Sequence, residues 1–572
     1  MDNHAIARIL REIADLLEIK DDNPFKIRAY RNGADIASNH PHALGQLTET
    51  ELREIPGIGK DLAARIREIA QSGDAELHRE LVAEFPPTIL DLLHLPGVGP
   101  KTVAVLYREL GIRTLEDMET AARSGRVRSL HGMGPKKEAL ILKAIEERKR
   151  FAGRHLIAAA HDAADALIAY LRETAAEATI EPAGSVRRGC ETVGDLDLLA
   201  TNAPPSLVDR FTEYDRVERV ISQGDRTAVI VLAGGMRAEL RLVDSESYGA
   251  AMQYFTGSTA HNEALRERAI TRGLQLTEHG VTRVRDQSRL PSAREEDVYA
   301  ALGLDWIPPE LRERRGEIDA AAAHTLPPLI ERADLRGDVH VHTTESDGKD
   351  DIRAMARAAR EAGLDYIAIT DHSQSLAMAN GLDEGRALAH ADEIRAIDRE
   401  GVGIRLLAGI ECDIRLDGSM DLSDDCLAAL DLVIASIHSG FNQDRRELTD
   451  RLLRAIAHPS VDIVGHPTGR IILKREPYDV DVEAVVDAAV RHGVALEINA
   501  QTYRLDVNDA HAYLARTRGA SLVISTDAHS RTAFHRLRWG VLVARRAWLQ
   551  ASNVLNTLPF EAFRASLRRA RS

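Results

Sequence analysis

Cysteine is scarce in this chain of 572 residues: Cys190, Cys412 and Cys426 are all there are, and no two form a CxxC pair. A disulfide scaffold and a thiolate zinc site are thereby excluded, and a reducing, cytoplasmic setting is expected. Long hydrophobic runs are also missing. No stretch reaches the roughly eighteen apolar residues that a membrane span requires. The opening run MDNHAIARILREIADLLEIKDD is polar and charged, so no signal peptide is expected there. A surplus of positive charge is lacking as well: 74 Lys and Arg stand against 89 Asp and Glu, a net charge of −15. Bulk charge lowers the expectation of a nucleic-acid partner without settling it, because a polyanion feels a patch within about 10 Å rather than the total. Residues 123–150 form such a patch, with nine basic and three acidic side chains. The remaining composition, 44% hydrophobic and 28% charged, is that of a globular protein. At roughly 100–200 residues per domain, the length predicts about three to five domains.

What is present falls into three textures. Residues 3–20 place Ile6, Ile9, Leu10, Ile13, Leu16 and Leu17 at helical spacing, and helical texture continues to about 150. Three glycine hairpins interrupt it: Ile55-Pro56-Gly57-Ile58-Gly59-Lys60, Leu95-Pro96-Gly97-Val98-Gly99-Pro100-Lys101 and Leu130-His131-Gly132-Met133-Gly134-Pro135-Lys136. Two glycines allow a tight turn and a close approach of another backbone. The turn ends at a helix N-terminus, whose free N–H groups and positive dipole favour a phosphate, and Lys60, Lys101 or Lys136 adds charge. One copy reads equally well as a plain helix–helix turn. Three copies favour a grip on the sugar-phosphate chain without sequence information. The pattern resembles the helix-hairpin-helix of DNA repair proteins.

From 176 the texture changes to short strands and turns. Gly184-Ser185-Val186-Arg187-Arg188-Gly189 is followed by Gly194-Asp195-Leu196-Asp197-Leu198-Leu199. On a strand, Asp195 and Asp197 share one face while Leu196 and Leu198 point into a core. Two converging carboxylates repel unless a cation lies between them, and Mg2+ takes oxygen ligands from carboxylates and phosphates together. An exposed acidic strand edge is the bland alternative, disfavoured by the GSxRRG run just before it.

These residues, with MRAELRL and YFTGSTAHNEALRERA, resemble the palm and nucleotide-binding region of family X DNA polymerases. The resemblance implies that Asp195, Asp197 and Glu239 are catalytic and hold Mg2+ or Mn2+, and that Gly184, Ser185 and Arg188 meet a triphosphate. It further implies that Tyr254 and Phe255 flank the incoming sugar and disfavour a ribose hydroxyl. Asn262 and Arg266 would face the nucleotide and the template minor groove, and a cis peptide is expected at Gly257–Ser258. Two departures stand out. The family's third carboxylate is usually Asp, whereas Glu239 is one methylene longer. Where some members carry a Schiff-base lysine that removes a 5′-deoxyribose phosphate, this chain has Arg65, which cannot usefully lose its proton. That lyase is expected to be weak or absent, although Lys26, Tyr30 and Arg31 match a 5′-phosphate pocket.

The last third alternates strand and helix, with strands expected near 337–342, 365–370, 405–411, 431–437, 461–465, 493–499 and 521–526. Seven repeats suggest a closed parallel barrel. Placement of histidine, rather than its number, is the signal. Asp338-Val339-His340-Val341-His342, Thr370-Asp371-His372, Gly409-Ile410-Glu411, Ser436-Ile437-His438, Gly465-His466-Pro467 and Asp527-Ala528-His529 all fall at strand C-terminal ends, where barrel sites are built. Imidazole with carboxylate suits Zn2+, Mn2+ or Fe. His390, His458, His492, His511 and His535 fall on expected helices or loops and are read as ordinary residues. The set resembles the polymerase-and-histidinol-phosphatase (PHP) domain. That resemblance implies up to three metals on His340, His342, Asp347, His372, Glu411, His438, His466, Asp527 and His529, and phosphoester hydrolysis as the chemistry.

The expected architecture is therefore multidomain: an all-α helix-hairpin-helix region, an α+β nucleotidyltransferase palm and a distorted (β/α)7 barrel of PHP type. The boundaries read as 1–85 and 86–150 for two helix-hairpin-helix domains, 151–250 for the palm and 251–302 for a thumb-like nucleotide lobe. Residues 303–335 read as a proline- and alanine-rich linker, and 336–572 as the barrel. The DNA-binding set is Lys26, Tyr30, Arg31, Gly57, Gly59, Lys60, Gly97, Gly99, Lys101, Gly132, Gly134 and Lys136. Gapped or primed DNA and deoxynucleoside triphosphates are the expected partners, with no membrane, other repair proteins left open and a monomer as the default. Expected function is short-gap filling in repair, with the barrel trimming or cleaning 3′ ends as exonuclease, phosphatase or abasic-site endonuclease. Two alternatives stay open: a DNA-binding nuclease with feeble polymerization, motivated by Glu239, and a small-molecule phosphatase of the histidinol-phosphate type.

Overall fold

The computed structural model describes residues 3–39, 44–86, 88–95, 97–130, 132–151 and 153–568, which group into two compact units, 1–152 and 153–572. Pro96 and His131, inside the second and third hairpin motifs, lie outside the described residues.

The first unit is helical. Helix Asn3–Lys20 buries Ile6, Ile9, Leu10, Ile13, Leu16 and Leu17, the stripe its periodicity predicts. In each hairpin the first glycine takes a left-handed φ: +95° at Gly57, +70° at Gly97 and +77° at Gly132. The apolar residue between the glycines (Ile58, Val98, Met133) is buried and pins the loop to the core. The second glycine immediately precedes a helix: Lys60–Ser72, Pro100–Leu110 or Pro135–Phe151. No heavy atom stands within 4 Å of a Cβ built on Gly59, Gly99 or Gly134. Lys60, Lys101 and Lys136 are exposed beside that open space.

The second unit begins with a five-stranded sheet ordered Thr179–Pro182, Asp195–Thr201, Arg237–Leu242, Thr227–Leu232, Val217–Gln223. Asp195–Thr201 and Arg237–Leu242 run parallel, with Asp197 opposite Glu239. Helix Ile157–Arg172 lays Ala160, Ala164, Leu167 and Leu171 into the core that also takes Leu196 and Leu198. Helices Tyr248–Thr256 and Thr259–Thr271 and a small three-stranded sheet follow.

Residues 303–335 differ from the linker expected of them. Leu304, Ile307, Leu311 and Ile330 are buried, and Arg312 is fully enclosed. Its guanidinium donates to Glu295 (2.7 Å) and to the Ile307 carbonyl (2.9 Å), and the Trp306 indole donates to the same Glu295 (3.2 Å). The prolines interrupt helical periodicity but leave a packed segment, with a turn at Pro309–Leu311 and a helix at Glu317–Ala322.

Seven parallel strands then follow in chain order: Gly337–Val341, Tyr366–Ile369, Arg405–Asp413, Leu432–Ser436, Ile463–Val464, Ala495–Asn499 and Leu522–Ser525. Almost every strand residue is buried, because helices cover the outer face of a parallel barrel and side chains fill its interior. The ring closes where the His342 N–H donates to the Ala528 carbonyl (2.8 Å) and the Ala528 N–H to the His340 carbonyl (3.1 Å). Asp338, wholly buried, ties the first strand to the end of the last by accepting from the Thr526 N–H (3.1 Å) and hydroxyl. All seven strands stand where the alternating pattern predicts them.

Candidate functional site

The palm site is assembled on two adjacent strands. Strand alternation turns Asp195, Asp197 and Glu239 to one face, and the parallel register brings Asp197 and Glu239 level. Burial, then the negative charges of Asp195 and Glu239, push the Asp197 carboxyl up to about 6. Three acids sharing one face, with the middle carboxyl of Asp197 pushed up by burial and by the other two, make the donor set a hard divalent cation would relieve. Arg237 and Arg241, two residues either side of Glu239, lie on the same face. Arg241 pairs with Glu239, and Arg237 reaches Glu239 (3.5 Å) and Asp195 (3.7 Å). The longer glutamate is thus held along its own strand by flanking guanidinium groups.

A cavity of 370 Å³ opens over Asp195 and Asp197, lined also by Gly184, Ser185, Arg188, Tyr254, Phe255, Gly257, Thr259, Asn262 and Arg266; Glu239 is not on its wall. Every nucleotide-contact residue expected from the sequence is on that wall. Gly184 has φ +59° and a Cβ there would stand 2.5 Å from Asp197 Oδ2, so only glycine lets the turn approach the acid. The peptide Gly257–Ser258 is cis. Asn262 Nδ2 donates to the Tyr254 carbonyl (2.7 Å), which keeps the aromatic pair Tyr254–Phe255 against the helix that carries Arg266.

Of the expected 5′-phosphate residues, Lys26 lies 3.8 Å from Asp22, and Arg31 is paired with Asp15 and Glu18. Tyr30 departs from its expected role. Only 1% of it is exposed, and its hydroxyl donates to Asp61 (2.9 Å), so it braces a helix rather than offering a phosphate contact. Arg65 donates to Glu68 (2.7 Å).

In the barrel, the expected ligands converge from six strand ends and one loop. Three groups have ligand atoms all within 4.8 Å of one another: His342, Asp347, His372 and His529; His340, His342 and Asp527; His372, Glu411 and His438. His466 joins them through Nε2 at 3.0 Å from Glu411 Oε1. His340 Nε2 lies 3.2 Å from Glu411 Oε2, and His342 Nε2 lies 3.2 Å from Asp527 Oδ1. Yet His340 Nε2, both His342 nitrogens and Glu411 Oε2 are buried without hydrogen-bond geometry. Nitrogen and oxygen lone pairs aimed at a common centre rather than at each other fit metal ligands. His466 and Asp527 both hold positive φ, +28° and +52°, as backbone at a constrained site often does.

Burial opposes charge on His340, His438 and His529, but the carboxylates beside them raise His438 to about 10, His529 to about 9 and His340 well above its ordinary value, so a cation entering the cluster would displace protons from these rings. Burial opposes charge on Glu411, but His340, His438 and His372 hold it well below the usual carboxylate range. Burial, then the neighbouring His372 and His529 rings, pull His342 down to about 4, which keeps the ring neutral at neutral pH with one nitrogen lone pair free for a ligand.

Four supporting residues carried no signal as site residues. Glu497, mid-strand on Ala495–Asn499, accepts from His340 Nδ1 (2.7 Å). Asp413 meets His438 Nδ1 (2.9 Å). Asp371 accepts from the Thr343 N–H (2.8 Å) and hydroxyl (2.7 Å), ordering the loop that delivers Asp347. His390, read as an ordinary helix residue, is not in the cluster but is buried with Nε2 2.9 Å from Asp371. Glu497 and Asp413 each hold the Nδ1 of a cluster histidine, the kind of contact that orients a ligating ring.

Comparison with known families matches this layout. A helix-hairpin-helix domain matches residues 1–75, a SAM-like helix-hairpin-helix tandem 89–147, a DNA polymerase beta thumb 251–313 and a PHP domain 338–501. The thumb match runs into the segment first read as linker. The chain is 37% identical to the DNA polymerase/3′-5′ exonuclease PolX of Bacillus subtilis (strain 168) over 567 residues, 99% of each chain. A probable phosphatase of Shewanella oneidensis is 31% identical over 202 residues, covering 34% of this chain and 75% of that protein. One of Thermoanaerobacter sp. (strain X514) is 29% identical over 231 residues, covering 38% and 89%. This chain belongs to the family X DNA polymerases that carry a C-terminal PHP domain.

Proposed function

We propose that this protein is a DNA-directed DNA polymerase that fills short gaps during repair, joined to a metal-dependent 3′–5′ exonuclease or 3′-end phosphoesterase. The observation that carries this is the pair of separate acidic centres in one chain, one roofed by a nucleotide-sized cavity and the other ringed by imidazoles. Divalent cations at the palm, Mg2+ or Mn2+, would neutralise the triphosphate and lower the proton affinity of the attacking 3′-hydroxyl. Asp195 and Asp197 would hold them, with Glu239 completing the set once Arg237 and Arg241 release it. Arg188 and Ser185 would take the triphosphate, and Tyr254 and Phe255 would face the sugar. In the barrel, Zn2+, Mn2+ or Fe would activate a water and hold the phosphate oxygens. His340, His342, Asp347, His372, Glu411, His438, His466, Asp527 and His529 would be the ligands, kept in register by Glu497 and Asp413.

The hairpins would grip the DNA backbone through Lys60, Lys101, Lys136 and the open glycine faces. Abasic-site cleavage is within the reach of the same barrel chemistry, whereas a lyase at Arg65 is not. No described helix is long and apolar enough to cross a membrane, and a monomeric cytoplasmic enzyme is the simplest setting. The test is a pair of variants on gapped DNA. Asp195→Ala should abolish extension and leave 3′ degradation intact, and His340→Ala should do the reverse. Wild-type protein that degrades but never extends, with Mg2+ or Mn2+, would favour a nuclease with a vestigial palm.

A further inference from the structure

Arg188 is surrounded by groups from three distant parts of the second unit. Its Nε donates to Glu313 Oε1 (3.1 Å), at the end of the thumb match, and its Nη1 donates to the Thr256 carbonyl. Glu313 Oε1 is shared with Nη1 of Arg546 (2.9 Å), the last residue of barrel helix Leu537–Arg546. The same Nη1 donates to the main-chain carbonyl of Arg188 (2.9 Å). Arg546 is fixed in turn by Asp509 Oδ2 (3.0 Å), which also accepts from Arg315 (3.0 Å). The Arg546 and Arg188 side chains are only 10% and 15% exposed, so the contact they share through Glu313 is largely shielded from solvent, while Arg315 at the far end is 33% exposed. A second contact from the same helix reaches the next residue. A Cβ on Gly189, whose φ is +67°, would come within 3.2 Å of Leu542. The barrel helix therefore braces both the side chain and the backbone at Arg188–Gly189.

We propose that Arg546 is a positioning residue for nucleotide binding: an arginine of the barrel domain that sets, through Glu313, how readily the palm's Arg188 turns to a triphosphate. This rests on the polymerase reading of the palm cavity. The direction of the effect follows from sharing. While Glu313 is divided between two guanidinium groups, Arg188 loses little by leaving it for phosphate oxygens. Without Arg546, Glu313 has Arg188 as its remaining close cation and holds it back, and the Arg188 carbonyl loses its anchor. Both changes weaken nucleotide binding. They act on ground and transition states alike, so KM moves and kcat does not.

The experiment uses the full chain on a one-nucleotide gap. Arg546→Ala should raise KM for the incoming deoxynucleoside triphosphate about tenfold, with kcat within about threefold and 3′ degradation by the barrel retained as evidence of folding. Arg546→Lys, which keeps the charge but not the fork, should fall between. In the Arg188→Ala background, Arg546→Ala should add nothing, because its effect passes through Arg188. An unchanged KM, additive effects in the double variant, or parallel loss of extension and degradation would each overturn the proposal. Equilibrium binding of a fluorescent deoxynucleoside triphosphate reads the same step without turnover. A wild type that binds nucleotide but does not extend would thus count against the polymerase function and leave the role of Arg546 separately decided.

Discussion

Asp197→Asn separates the electrostatic cost of the palm site from its chemistry. Burial, reinforced by Asp195 and Glu239, moves this carboxyl from an ordinary 3.8 to about 6. At 1.36 kcal/mol for each pH unit, keeping it ionised in the metal-free folded chain costs about 3 kcal/mol. The sign with pH is definite. Above 6 the group is ionised whether the chain is folded or not, and the full cost is present. As pH falls from 6 toward 3.8 the folded carboxyl takes up its proton first, and the cost disappears. An asparagine never carries it. Allowing for imperfect amide hydrogen bonds, metal-free Asp197→Asn should be more stable than wild type by about 1–3 kcal/mol at pH 7.5 and nearly equal to it at pH 3, below both values. Thermal unfolding in chelator at the two pH values reads this as a melting-temperature gain at the higher pH alone. Added Mn2+ should then stabilise the wild-type palm more than the variant's, and the variant should not extend primers. An equal gain at both pH values, or none at 7.5, would refute the reasoning, since neither outcome is compatible with a repelled, ionised Asp197.

Other outcomes follow from single contacts. Gly184→Ala should lower extension at least about tenfold without touching 3′ degradation, because its Cβ would meet Asp197 Oδ2 at 2.5 Å and its φ is +59°. Glu497→Gln should cut 3′ degradation roughly 10–100-fold and spare extension, since the 2.7 Å contact that orients His340 is weakened; equal loss of both activities would show a folding defect instead. Borohydride should trap no covalent adduct between wild type and a 5′-deoxyribose phosphate end, and an adduct mapped to a lysine near Arg65 would contradict that.

The barrel and the palm acids are legible in the amino-acid sequence itself. The barrel strands announce themselves because a strand buried on both faces must be a near-continuous apolar run, and the ligands sit at the ends of those runs. Asp195 and Asp197 are legible for the complementary reason, an alternation broken only on one face. What escaped depends on distance along the chain. Glu497 lies 157 residues from His340 and looks, within Ala495–Asn499, like any strand residue. His390 sits on a helix, where sequence gives it no special standing, and its value lies in its contact with Asp371. The segment 303–335 misled through its prolines and alanines, which break a pattern without loosening the packing around Arg312. Tyr30 was matched by position, but burial turned its hydroxyl inward to Asp61.

Anomalous diffraction from crystals of the full chain with Mn2+, gapped DNA and a non-hydrolysable deoxynucleoside triphosphate tests the two-centre claim most directly. Metal peaks should appear in two separate places: manganese between Asp195 and Asp197 beneath the triphosphate, and manganese, zinc or iron, told apart at their absorption edges, among His340, His342, Asp347, Glu411 and Asp527. A palm without manganese while nucleotide is bound, or a barrel whose imidazoles hold no transition metal at all, would contradict it.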